Sequence, residues 1–135
     1  MYNLTILYIN SGRNDRTEII AFIENESTDI IFIGEPYTID DETQDREGYA
    51  KLNTGTMVAG YAKTKVLEDI QNVTETEHTI TITLRNPEPT SITAIYTPPS
   101  RPMKDFDRML DEIDTSSKNH TIIGDTNARH RDWDK

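Results

Sequence analysis

The run Asp29-Ile30-Ile31-Phe32-Ile33-Gly34 constrains this chain more than any other segment. Four consecutive bulky apolar residues leave no polar side for solvent, so a strand built from them has to be covered on both faces. Its neighbours come from the residues just before it. Leu4 to Ile9 is β-branched and apolar and reads as another strand. Between the two, Asp15 with Glu18 three residues later has the form of a capping box. Ile19, Phe22 and Ile23 follow at helical spacing, which predicts a helix over roughly Asp15 to Glu26 with an apolar stripe. Strand, helix and strand in about 30 residues make a βαβ-like unit.

The composition changes after Gly34. Glu35 to Glu47 holds six acids and one base with no apolar periodicity, which reads as a solvated loop. Thr56 to Ala62 and Thr64 to Leu67 read as a β-ribbon. Thr79 to Leu84 alternates, as a half-exposed strand does. Asn86-Pro87-Glu88-Pro89 is turn chemistry, and Ser91 to Tyr96 returns as the second strand of a hairpin. Pro98 to Pro102 then opens a second helix, whose stripe is Met103, Phe106, Leu110 and Ile113. His120 to Gly124 is a short buried strand running into Asp125. The expected class is α/β, a mixed β-sheet with two helices on one face. Strands around Ile6, Ile31 and Ile122 look apolar on both faces, yet two helices cover one face only. The other face is left without a layer, which predicts self-association through it.

Charge and length narrow the function. With 135 residues the chain has the size of one ordinary domain. Its 24 acidic and 14 basic residues give a net charge of −10, which disfavours tight electrostatic binding of nucleic acid. Metal-assisted phosphate chemistry remains open, because a cation held by carboxylates can meet the phosphate. There is no cysteine for a thiolate metal site, and no run approaches the ~18 apolar residues of a membrane span. With no signal peptide visible, an intracellular location is expected.

Polar residues recur where predicted strands end. Asn10 follows the first strand, Glu35 the DIIFIG strand, Tyr96 closes the SITAIY strand, and Asp125 with Asn127 follows HTIIG. If these strands run parallel, their carboxyl ends share one rim, where ligands bind. Glu35 and Asp125 are hard oxygen donors suited to Mg²⁺. Asn127 and Asn10 can orient a water or a ligand, and Tyr96 can donate to a phosphate oxygen. Each also has a plain structural reading: a loop opening for Glu35, a turn or cap for Asp125 and Asn127, a packing ring for Tyr96, a turn for Asn10.

The order of four blocks resembles the endonuclease/exonuclease/phosphatase superfamily, in particular the N-terminal half of the endonuclease domain of non-LTR retrotransposon polyproteins. The blocks are Leu7-Tyr8-Ile9-Asn10, Ile30 to Tyr37 (IIFIGEPY), Ala94 to Ser100 (AIYTPPS), and Ile122 to His130 (IIGDTNARH) with Trp133. Gly55 to Lys65 is a weaker echo of the intervening strand. The resemblance implies the N-terminal half of a four-layer α/β sandwich of the DNase I-like type, with residues 1–135 a partial domain. It also implies a Mg²⁺-dependent phosphodiester hydrolysis, with Mn²⁺ as a substitute, that nicks DNA. Glu35 and Asp125 would be metal ligands, with Asp125, Asn127, Tyr96 and Asn10 in the catalytic set. Arg129, His130 and Arg131 would contact substrate.

Thr126 stands where the family usually has an apolar residue, and the middle strand lacks a Gly-Gly pair. The family's second half supplies a further Asp and a closing Ser-Asp-His block that these residues do not contain. Weak or no activity is therefore expected of the chain alone. Its partners would be DNA, the missing half-domain and a downstream reverse transcriptase, in the nucleus if it acts on host DNA. Two rival readings are a phosphatase of the same superfamily and a non-catalytic remnant that serves as an interaction module.

Overall fold

The computed structural model describes residues 4–53, 57–85, 89–96 and 119–125. The helix expected after Pro102, the turn at 86–88, and all residues past Asp125 lie outside this set.

Strand β1 (Ile6–Asn10) leads through helix α1 (Asp15–Glu24) into β2 (Ile30–Gly34), parallel to β1 with Ile6 opposite Ile30. A two-stranded ribbon follows, β3 (Thr38–Ile39) and β4 (Glu42–Thr43). Strands β5 (Tyr49–Lys51) and β6 (Val58–Lys63) complete a first sheet in the order β1-β2-β6-β5, in which β6 is antiparallel to β2. After a 3-10 helix over Thr64–Asp69 come β7 (Ile70–Glu75), β8 (Thr79–Leu84), β9 (Thr90–Tyr96) and β10 (Asn119–Asp125). They form a second sheet, order β10-β9-β8-β7, with β10 parallel to β9 and the rest antiparallel.

The two sheets pack face to face. Ile30, Phe32 and Val58 of the first share a buried core with Ile80, Ile82, Ala94 and Tyr96 of the second. On the other side of the first sheet, Ile31, Ile33, Ala59 and Tyr61 pack against Phe22 of α1. This arrangement explains the DIIFIG run: all of β2 is buried, its even side chains between the sheets and its odd ones under the helix. Each fully buried Ile or Phe contributes ~2–3 kcal/mol by leaving water.

Several expectations are corrected. The face of the first sheet that lies away from α1 is covered by the chain's own second sheet, a layer that the sequence leaves unassigned. That layer was hard to see because β7 is a polar strand with Gln71, Asn72, Thr74 and Glu75 exposed. Thr64 to Leu67 is 3-10 helix, not the second strand of a ribbon. Thr79 to Leu84 is almost wholly buried rather than half exposed. Its threonines are tolerated there through cross-strand hydrogen bonds, Thr81 Oγ1 to Thr93 Oγ1 at 2.7 Å and Thr83 Oγ1 to Ser91 Oγ at 3.0 Å. Among the described residues β10 is an edge strand with Ile122 47% exposed, not a buried one, and His120 Nε2 bonds Thr93 Oγ1 at 2.7 Å.

The start of α1 also differs. Asn14 is the cap, its Oδ1 accepting from the Arg16 and Thr17 amides at 2.9 and 3.3 Å, so Asp15 is already in the helix. The buried residues of α1 are Glu18, Ala21 and Phe22, while Ile19, Ile20 and Ile23 are exposed. The segment from Glu35 to Glu47 is organised rather than a solvated loop. Asp40 and Asp41 turn its ribbon at φ 54° and 63°, the left-handed pair that a two-residue hairpin needs.

Candidate functional site

The strand directions bring the predicted rim together. β1 and β2 are parallel and end level, so Asn10 lies opposite Gly34, the residue before Glu35. β9 and β10 are parallel and also end level, which sets the backbone of Asp125 opposite Tyr96. Across the two sheets, the Tyr96 hydroxyl donates to Glu35 Oε1 at 2.6 Å. Four strand ends, two from each sheet, therefore share one edge of the sandwich. Asn127, Arg129, His130 and Arg131 lie outside the described residues, as does the side chain of Asp125.

Two glycines make this convergence sterically possible. A Cβ on Gly34 would collide with the Tyr8 hydroxyl and sit 3.3 Å from Cδ1 of Tyr96, so the two rings need a bare backbone there. Gly124 has φ +139°, and a Cβ on it would strike the Ile95 carbonyl of the adjacent strand. The glycine before Asp125 is thus what lets β10 close on β9 at the rim.

Glu35 itself is half-buried and sits at φ +50°, a left-handed conformation that a residue with a side chain adopts only when its surroundings enforce it. The enforcement is visible. Its N–H donates to the Met57 carbonyl at 2.9 Å, and its carbonyl accepts from the Arg13 amide at 2.8 Å. The Ser11 hydroxyl donates to the same carbonyl at 2.6 Å, and the Arg13 guanidinium donates to Pro36 O at 3.1 Å. Asn10 is exposed, and its Oδ1 accepts from the Gly12 amide at 2.9 Å, which forms the turn read in the sequence.

The sequence reading missed one buried ion cluster behind this turn. Glu18 is fully buried, and its Oε2 accepts from the Tyr37 amide. Arg46 Nη2 reaches Glu18 Oε1 at 3.0 Å and Asp15 Oδ1 at 2.8 Å. Burial works against the charged guanidinium, but the hydrogen bonds and charges of Asp15 and Glu18 outweigh it and hold Arg46 protonated. Arg46 also stacks over the Phe22 ring, 5.6 Å from its centroid.

Chemically, the rim offers a carboxylate, a buried phenol and an amide. Among the described residues no group of three or more His, Asp or Glu gathers to enclose a metal ion. The Glu35 carboxylate with the Tyr96 hydroxyl against it is a small oxygen donor set, which suits a hard cation that keeps most of its waters, as Mg²⁺ does.

No protein-family model and no curated protein matches the chain. Among solved structures, the endonuclease domain of TRAS1, a telomere-specific non-LTR retrotransposon, superposes with a TM-score of 0.68 at 16% identity. The match covers 97% of this chain and 62% of that one, so the chain spans somewhat under two thirds of the length of its structural neighbour. The chain carries a partial DNase I-like α/β fold, similar to that of a retrotransposon endonuclease domain.

Proposed function

We propose that the chain is the N-terminal part of a divalent-cation-dependent phosphodiesterase that nicks DNA, carried by a retroelement ahead of its reverse transcriptase. The observation that carries this is the 2.6 Å bond from Tyr96 to Glu35, which ties the carboxyl ends of both sheets into one acidic rim. The fold it shares with a retrotransposon endonuclease domain supports the same reading.

Glu35, positioned by its left-handed turn, is the carboxylate that binds the cation. Mg²⁺, or Mn²⁺ in its place, supplies charge neutralisation at a non-bridging phosphate oxygen when bound. Tyr96, whose hydroxyl donates to Glu35 Oε1 in the free protein, would turn that one proton to a phosphate oxygen when substrate enters and the cation occupies Glu35. Asp125 takes the proton from the attacking water, with Asn127 setting the water's direction. Asn10 supports the Glu35 side of the rim, and Arg129, His130 and Arg131 bind backbone phosphates.

The test pairs Mn²⁺ calorimetry with nicking of supercoiled plasmid in Mg²⁺, for the wild-type chain and Glu35→Ala. Weak nicking and Mn²⁺ binding that both vanish in Glu35→Ala are expected. Mn²⁺ affinity equal in the two proteins would overturn the assignment.

A further inference from the structure

We infer that Glu18 is a positioning residue that holds the Glu35 turn in place from behind, with Arg46 as its charge partner. A carboxylate with no solvent exposure is costly unless its oxygens are fully used. Those of Glu18 are, and every partner belongs to the rim or to the loop that leaves it. Oε2 takes the Tyr37 amide, two residues past Glu35, and lies 3.1 Å from Ser11 Oγ. That hydroxyl has one proton, which it directs at the Glu35 carbonyl 2.6 Å away. Oε1 takes Arg46, near the far end of the acidic segment. Both ends of residues 37–46 are therefore fastened to one side chain on α1.

The consequence follows from the conformation of Glu35. Its left-handed backbone is not self-sustaining, and it depends on the hydrogen bonds that flank it. Without the Glu18 carboxylate, the Tyr37 amide loses a charged acceptor and Arg46 is left with Asp15 alone, which is partly exposed at 40%. The turn is then free to relax, and the carboxylate of Glu35 moves relative to Tyr96. Nothing in the local sequence demands an acid at position 18 for helix capping, since Asn14 caps α1.

Amide hydrogen exchange by NMR on the full chain tests this without any cation. In Glu18→Gln, exchange at Arg13 (donor to Glu35 O) and Tyr37 should accelerate at least ~10-fold, with the β2 core amides of Ile31 and Ile33 unchanged, as expected of local rather than global opening. Uniform acceleration across β2, or no change at Arg13 and Tyr37, overturns the inference. Should Glu18→Gln not fold, Arg46→Lys, which keeps the charge but not the fork, should show the same selective pattern, and its absence there overturns the inference equally. A second arm, resting on the cation reading above, measures Mn²⁺ affinity: about tenfold weaker binding is expected for Glu18→Gln, the usual effect of losing a group that orients a ligand. Wild-type affinity in Glu18→Gln, with binding lost in Glu35→Gln, overturns the role of Glu18 and leaves the cation site standing. A wild-type chain that binds no Mn²⁺ overturns the cation site, and the exchange pattern alone then decides Glu18.

Discussion

The contact between Tyr96 and Glu35 can be weighed by a double-mutant cycle on stability. Tyr96 is 2% exposed, so Tyr96→Phe keeps the ring packed against Gly34 and deletes only the hydroxyl. A hydrogen bond to a charged acceptor contributes ~1.5–3 kcal/mol when both groups are dry. Glu35 is half-buried, so water replaces part of the lost bond and the lower end applies, about 1–1.5 kcal/mol. For 135 residues, with an unfolding entropy of ~2.1 cal/mol/K per residue, that corresponds to a drop in Tm of about 4–5 °C. Urea titrations of the wild type, Tyr96→Phe, Glu35→Gln and the double variant should give a coupling energy of ~1 kcal/mol with unchanged m values. A coupling below ~0.3 kcal/mol, the level at which separated sites simply add, would mean that the two side chains do not touch and that the sheets do not share this rim.

Three further outcomes follow from the same structure. Gly124→Ala should cost ~3 kcal/mol or more, because it combines a left-handed φ with a backbone collision; a urea midpoint within error of the wild type would show that β10 does not lie against β9 as described. Phe22→Ala should cost ~3–5 kcal/mol, whereas Ile23→Lys, at a residue 67% exposed, should stay within ~0.5 kcal/mol, and thermal melts of the pair discriminate the observed helix face from the one the sequence suggests. Burial foremost, aided by the charge of Glu18, pushes the Tyr61 phenol above its usual range, and burial with Asp29 and Glu26 does the same at Tyr49. A raised folded-state pKa favours the protonated phenol in the native protein, so its stabilisation is complete below pH ~10 and is lost as pH rises through the folded values. Urea midpoints should therefore fall between pH 9 and 11 and fall less in Tyr61→Phe, and a flat profile contradicts this.

The parts of the fold that could be read from the sequence are those whose cause is local. The buried strand Ile30–Gly34 needs no partner to be recognised, because its own composition excludes solvent on both faces. The hairpin of β8 and β9 announces itself through two β-rich runs around a proline turn, and the polar residues at strand ends follow from where the apolar runs stop. What could not be read depends on partners far along the chain. The three isoleucines of α1 outnumber every other apolar signal in that helix, yet they face solvent, because Glu18 is drawn inward by Arg46, 28 residues later, and by the Tyr37 amide. A charge pattern of six acids around one base looks like a solvated loop until that one base is found 13% exposed over an aromatic ring. β7 carries too few apolar residues to announce a strand, and it forms because β8 beside it offers an unpaired edge. The same logic bears on the candidate site. The strand-end pattern already groups Glu35 with Tyr96; what it cannot supply is how side chains 61 residues apart come into contact, which takes two parallel strand pairs stacked so that all four carboxyl ends point one way. Parallel pairing within each sheet is what converts a scatter of polar residues at strand ends into a single rim.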